Sequence, residues 1–346
     1  MSVQAPATLF DQDAVRRAVD TVLTDFLATQ THSALDRSLP QQAAEALSGF
    51  LRAGGKRIRP VLCVAGWQAA GGTGTPDPAI RAAASLEMFH SFALIHDDII
   101  DASDTRRGQP TVHGQTSTHA AILIGDLALV FADQLLHGAG LTPAQLDAVL
   151  PIANALRADT IYGQYLDISH AGQPSADPGP GPALTIAQYN IAKYTIEGPL
   201  LLGAALTGDD DAIRATLTAC GMAVGEAFQL RDDLLGIFGN PTHTGKPSLD
   251  DLREGKTTVL MALALQNADG PQRRVLHHHV DNPHPIDAGA DQIRTVLTDT
   301  GARTTVEEMI TERRQSTLTT LDTANLPTYI TAVLRSLAVS AISRTT

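Results

Sequence analysis

The run Leu94 to Gly108, LIHDDIIDASDTRRG, constrains this chain more than any other. It puts Asp97, Asp98 and Asp101 at the end of an apolar helical run, with Arg106 and Arg107 shortly after. Carboxylates this close repel one another unless cations hold them. Asp97 and Asp101 are four apart and share one face of a helix, while Asp98 lies one residue off it and supports the pair from the side. Carboxylate oxygens with room for water suit Mg²⁺, which binds through one or two carboxylates plus substrate phosphates. Adjacent arginines suit a phosphate-bearing substrate, which guanidinium binds bidentately. A solvated acidic helix end would use the same residues, so the rest of the chain decides.

A second acidic helix end repeats the first. GEAFQLRDDLLGIFG carries Gln229, Asp232, Asp233 and Gly236, with apolar Ala223, Ala227, Leu230 and Leu234 alongside. A polar loop with Lys246 and Lys256 follows. Two such ends, each followed by basic residues, imply a cavity between two helices where metal ions bridge to a diphosphate. A third anion site is expected at GGKRIRP. Paired glycines, Lys56, Arg57 and Arg59 meet a helix start marked by Pro60, so backbone N–H groups, helix dipole and side-chain charge converge. Of 25 basic residues only four are lysines, at 56, 193, 246 and 256, each in a conspicuous setting. Arginine elsewhere serves wherever charge merely solvates, so these lysines are candidates for sites needing a compact ammonium.

Periodicity predicts helices over 11–29, 42–51, 60–70, 79–101, 116–136, 143–168, 186–206 and 210–238. Glu87, His90, Leu94, Asp97 and Asp101 form one stripe that turns from apolar to acidic, against the helix dipole. Pro199 should kink or break the 186–206 helix. Residues 171–183 form a Pro/Gly loop, and His277 to His279 read as part of an exposed loop running to Pro285. The apolar run 120–136 is interrupted by Asp126 and Asp133, so it reads as a buried helix and not a membrane span. Hydrophobic content of 43% supports a large core, and a net charge of −12 argues against nucleic acid. Cys63 and Cys220 sit in apolar helical contexts, so no disulfide is expected. The first fifteen residues show no basic-then-apolar pattern. A reducing cytoplasm is the expected compartment.

Taken together, GGKRIRP, HDDIIDASDTRRG, GQYLD, KYT, FQLRDD and the GKP…DLREGKTT loop resemble the all-trans isoprenyl diphosphate synthase family, its actinobacterial-type geranylgeranyl diphosphate synthases in particular. The resemblance implies a single all-α domain over 1–346, an antiparallel helical bundle around a central cavity, and a homodimer. It implies Mg²⁺ on Asp97, Asp101 and Asp232, with Asp98 and Asp233 in support. It places isopentenyl diphosphate at Lys56, Arg59, His90 and Arg107, and an allylic diphosphate at Arg106, Lys193, Thr195, Gln229, Lys246 and Lys256. The allylic diphosphate leaves, stabilised by the metal and these cations, and the isopentenyl double bond attacks the allylic cation.

The resemblance also bears on product length. The growing chain would run along the helix ending at Asp97, where Ala93 leaves room and Phe92 and Phe89 can close the cavity below. That combination implies geranylgeranyl diphosphate, with farnesyl diphosphate as the alternative. The sequence departs from the family at Gly236, where many members carry a third aspartate, and at Leu249, where relatives often carry glycine. A class I terpene cyclase would lack the isopentenyl site. A non-catalytic partner subunit of a heteromeric synthase draws support only from the two departures.

Overall fold

The computed structural model describes residues 10–170, 179–208, 210–239, 256–281 and 286–342. Among them the fold is all-α apart from one two-stranded ribbon, as expected. The chain divides into two compact units, Met1–Ala153 with Pro199–Asp211, and Asn154–Gly198 with Ala212–Thr346.

The first unit is built around α4 (Asp77–Ile100), which packs against α1 (Gln12–Asp36), α3 (Ile58–Ala69) and α6 (Thr118–His137). Its middle, from Ala82 to Phe89, is buried on every side. Small residues at 82–85 let neighbouring helices approach closely there. Helix α1 starts at Asp11, whose carboxylate accepts from the Ala14 N–H at 2.9 Å, and buries Val15, Val19, Leu23 and Leu27 along one stripe. Helix α2 (Gln42–Arg52) completes this layer. Helix α9 (Gly198–Ala205) crosses α3 so closely that a Cβ on Gly66 or Gly203 would overlap the backbone carbonyl of Leu200 or Cys63.

Helix α6 corrects one expectation. It is not buried all round: Leu123 is 68% and Val130 50% exposed, while Ala121, Gly125, Ala128 and Ala132 are buried. Asp126 and Asp133 only punctuate a half-covered helix, and by length and composition it could span a membrane.

Helix α7 (Pro143–His170) leads from the first unit into the second. There, α8 (Gly181–Ala187) opens into a π-helix over Gln188–Glu197. The break expected at Pro199 falls one residue before it, where α9 begins. Pro199 sits in the first turn of α9, where a missing N–H costs nothing, and the distortion lies upstream, where the Gly198 N–H reaches back five residues to the Lys193 carbonyl. Helices α10 (Asp211–Phe238), α11 (Val259–Asn267), α12 (Gly270–Asp281), α13 (Ile286–Asp299), α14 (Ala302–Thr323) and α15 (Thr328–Ile342) follow. Leu230, Leu234, Leu260, Leu276, Leu297 and Ile310 share their core.

His277 to His279 lie in helix α12, not in a loop. Asp269 and Gln272 form a reciprocal cap, Gln272 N–H to Asp269 at 2.8 Å and Asp269 N–H to Gln272 at 3.0 Å. The helix thus nucleated runs through the histidines, because Leu276 beside them is fully buried. Cys63 and Cys220 are free and buried, and burial pushes their thiols up to about 12 and about 11.

Candidate active site

The first acidic end is where α4 stops. The Asp101 N–H caps the helix on the Asp97 carbonyl, and the Ser103 N–H returns to the Asp98 carbonyl at 2.9 Å. Asp97 and Asp101 keep partial exposure, whereas Asp98 is 1% exposed and turned inward. Asp98 Oδ1 accepts from Arg106 Nε at 2.7 Å and lies 2.7 Å from Nη2 of the same guanidinium. Burial raises the Asp98 pKa, and the Arg106 charge opposes that rise. Arg106 Nη2 is also 3.8 Å from Asp97 Oδ2. This arginine therefore neutralises the acidic cluster while leaving Asp97 and Asp101 facing outward.

A ribbon the sequence did not announce holds the arginines. Thr105–Arg106 pairs with Gln109–Pro110, and the two-residue turn has positive φ at both Arg107 (53°) and Gly108 (73°). Such a turn matches the right-handed twist of its strands. It throws Arg107 back onto the glycine turn before α3, where Nη1 donates to the Gly54 carbonyl and the guanidinium lies 5.9 Å from the Phe50 ring. On its outer side lies a cleft of about 450 Å³ lined in part by Arg52, Arg106, Arg107, Gln109 and Gln115.

In GGKRIRP, Lys56 is exposed and Arg59 partly exposed, but Arg57 is buried. It starts α3 in the left-handed conformation (φ 48°) and uses its whole guanidinium: Nε to Asp20 at 2.8 Å, Nη1 to Glu87 at 2.8 Å, Nη2 to the Leu51 carbonyl at 2.9 Å. Burial opposes its charge, yet Glu87 and Asp20 hold its pKa above the ordinary value. Sequence reasoning put Glu87 in the stripe but gave it no partner. The signal available was a glutamate nearly three turns before the acidic cluster, on the buried side of a helix facing a basic turn. His90, partly exposed to solvent, has its pKa pushed well below 6.5 by burial and then by Arg59, Arg107, Arg106 and Arg57. Burial and these four positive charges favour its neutral form.

Phe89 and Phe92 lie on α4 below Asp97, 1% and 8% exposed, with ring centroids 5.4 Å apart. The Phe92 ring also meets the His96 ring at 4.7 Å, tilted by 53°. Ala93 keeps partial exposure beside them.

In the second unit, the π-helix carries Lys193 and Thr195. Lys193 Nζ donates to Asp159 on α7 at 2.9 Å and lies 4.6 Å from the Tyr189 ring centre. Burial lowers its pKa and Asp159 more than restores it. Thr195 is 5% exposed. On α10, Gln229 donates to Asp233 at 2.7 Å, and Asp233 is 2% exposed. Asp232 and Gly236 keep partial exposure. The second acidic end thus repeats the first, with one aspartate turned in and hydrogen-bonded and another facing out. Arg231, just before them, fixes the helix, forming a two-pronged contact with Glu307 at 2.9 and 2.8 Å and donating to the Ile342 carbonyl at 3.0 Å. Lys256 is partly exposed; Lys246 and Leu249 lie outside the described residues.

Among the described residues, no three acidic, histidine or cysteine side chains converge as a self-sufficient metal cage. Outward carboxylates at a helix C-terminus, backed by an inward one neutralised by arginine, suit a hard cation that completes its shell with water and substrate oxygens. Mg²⁺ fits the donor set that Asp97 and Asp101 offer.

Comparison with known proteins agrees with this chemistry. The polyprenyl synthetase family model matches residues 40–297. A geranylfarnesyl diphosphate synthase of Aeropyrum pernix is 31% identical over 76% of this chain and 81% of its own. A (2E,6E)-farnesyl diphosphate synthase of Mycobacterium tuberculosis is 35% identical over 70% of this chain, which spans 66% of that enzyme. The crystal structure of a geranylgeranyl pyrophosphate synthase from Corynebacterium glutamicum, complexed with isoprenyl diphosphate and magnesium, superposes with a TM-score of 0.88 at 38% identity, covering 96% of this chain and 99% of that one. The motifs, the all-α fold and these likenesses agree: the chain belongs to the polyprenyl synthetase family of all-trans prenyltransferases.

Proposed function

We propose that this prenyltransferase condenses isopentenyl diphosphate with an allylic diphosphate in the presence of Mg²⁺ and carries the product to geranylgeranyl diphosphate. One observation supports this most: the outward Asp97–Asp101 pair, braced by Asp98 and Arg106, stands directly before a ribbon whose Arg107 turns to the Lys56 loop. Lys56, Arg59, Arg107 and neutral His90 hold isopentenyl diphosphate. Arg106, Lys193, Thr195, Gln229, Lys246 and Lys256 serve the allylic diphosphate. Bound Mg²⁺ supplies charge neutralisation for the leaving diphosphate. The cationic side chains stabilise the same charge as it develops, and apolar walls including Phe89 and Phe92 keep water from the allylic cation.

The half-exposed apolar face of α6, with Ile122, Leu123 and Val130, supports a homodimer of a cytoplasmic enzyme in which a second copy covers that helix. The family match runs through both compact units, which supports one synthase domain over 1–346.

Purified protein incubated with labelled isopentenyl diphosphate and each allylic primer, with and without Mg²⁺, tests the reading. A 20-carbon linear product that needs Mg²⁺ is expected. A 15-carbon product would mark a farnesyl diphosphate synthase. Cyclised hydrocarbon without use of isopentenyl diphosphate would mark a terpene cyclase, and no turnover alone a partner subunit.

A further inference from the structure

Glu87 sits on α4, 3% exposed, with Oε1 on Arg57 at 2.8 Å and Oε2 buried without a hydrogen-bond partner among the described residues. Gly55 shows what surrounds it. A Cβ there would lie 3.1 Å from Arg107 Nη2 and 3.1 Å from Arg57 Nη1, so both guanidiniums approach the same spot over the glycine turn. Two like charges thus converge beside the turn that carries Lys56. Charge alone makes a carboxylate here unfavourable for binding an anion, and a half-satisfied buried carboxylate is unfavourable for folding. Its compensating role is to oppose repulsion among the arginines. Consistent with that, burial lowers the Arg107 pKa and Glu87 is the largest influence opposing the fall.

We propose that Glu87 is a positioning residue for isopentenyl diphosphate: its buried carboxylate is the shared counter-charge that holds Arg57 and Arg107 against the Gly54–Gly55 turn, and so sets the arrangement of Lys56, Arg59 and Arg107. This rests on the reading of those three residues as the isopentenyl diphosphate subsite. Arg57 is part of the same device. With Nε, Nη1 and Nη2 all engaged, it anchors the turn and leaves the ligand to its neighbours.

The sign of one measurement decides the matter. Loss of the negative charge alone would tighten anion binding, whereas loss of the arrangement would weaken it. Glu87→Gln, nearly isosteric, is expected to raise KM for isopentenyl diphosphate about tenfold while kcat and the allylic KM stay within about twofold. Glu87→Asp, which keeps the charge on a shorter stem, is expected to fall between. Glu87→Gln with Arg57→Gln should be no worse than the poorer single variant, since each acts through the other. Calorimetric titration with isopentenyl diphosphate reads the same affinity without turnover, and can use Glu87→Asp if the glutamine variant does not fold. An unchanged or lowered isopentenyl KM would overturn the proposal, as would parallel shifts in both KM values and kcat. If the wild-type protein neither binds nor uses isopentenyl diphosphate, the underlying reading fails, and that result is visible before any variant is made.

Discussion

Asp98 and Arg106 are joined on a single oxygen: Nε and Nη2 of the guanidinium both stand 2.7 Å from Oδ1 of the buried carboxylate. Adjacent aspartates therefore do different work. Asp98→Ala leaves Arg106 without its partner and should destabilise the fold by about 1–3 kcal/mol, lowering the melting temperature along with turnover. Asp97→Ala and Asp101→Ala should lower turnover by orders of magnitude and leave the melting temperature nearly unchanged. Melting curves beside initial rates in Mg²⁺ check both. A folded Asp101→Ala protein with normal turnover would refute the metal assignment.

Lys193 Nζ donates to Asp159 at 2.9 Å. Lys193→Ala should raise the allylic KM by about tenfold or more through loss of a charge-assisted phosphate contact. The isopentenyl KM should stay within about twofold. Asp159→Asn should have a smaller effect on the same constant, since the ammonium survives but is no longer aimed. Steady-state kinetics with each substrate varied in turn separate these outcomes, and a change confined to isopentenyl diphosphate would exchange the two sites.

The depressed pKa of His90 makes a pH prediction of definite sign. The folded state binds fewer protons than the unfolded chain, where histidine titrates near 6.5. Stability is therefore fully present above that value and is lost as pH falls from 6.5 through the lower folded pKa. His90→Gln should flatten the dependence of melting temperature on pH across that acid range. The isopentenyl KM should not follow a histidine titration between about pH 6.5 and 8. A KM that doubled with loss of a proton near pH 7 would mean that His90 binds as a cation.

Product length should follow the α4 face beneath Asp97. Ala93→Tyr is expected to shorten the main product to farnesyl diphosphate. Phe92→Ala, alone or with Phe89→Ala, is expected to lengthen it, though each opens a cavity costing about 3–5 kcal/mol. Chromatography of the dephosphorylated alcohols reads the result, and an unchanged distribution in all variants would place the floor elsewhere.

Much of this was legible in the sequence because its chemistry is written in short spacings. The DDxxD spacing puts Asp97 and Asp101 on one helix face with Asp98 beside them, but the burial of Asp98 shows only in the structure. Segment boundaries of α2, α4 and α7 followed from periodicity within about two residues. What stayed hidden depends on contacts between distant segments. Arg57 looked like one more cation beside Lys56, and only the approach of Asp20 and Glu87 shows it to be an internal anchor. Asp159 as the partner of Lys193 was unreadable for the same reason. The histidines of α12 were misread because a short polar cap upstream outweighed their composition. The exposed side of α6 escaped notice because apolar content reports how oily a helix is, not what covers it.

The π-helix at Gln188–Glu197 carries one consequence for how such a chain can change. A wide turn amounts to one residue more than an α-helix of the same length would hold. Deleting a residue just upstream of Lys193 would let regular winding resume and leave the elements on either side nearly where they are. It would also swing the lysine by roughly 100° about the helix axis, away from Asp159. A single-codon deletion in this stretch is thus a mild change for the fold and a severe one for the allylic site. The length of this segment thus aims Lys193 as surely as Asp159 does.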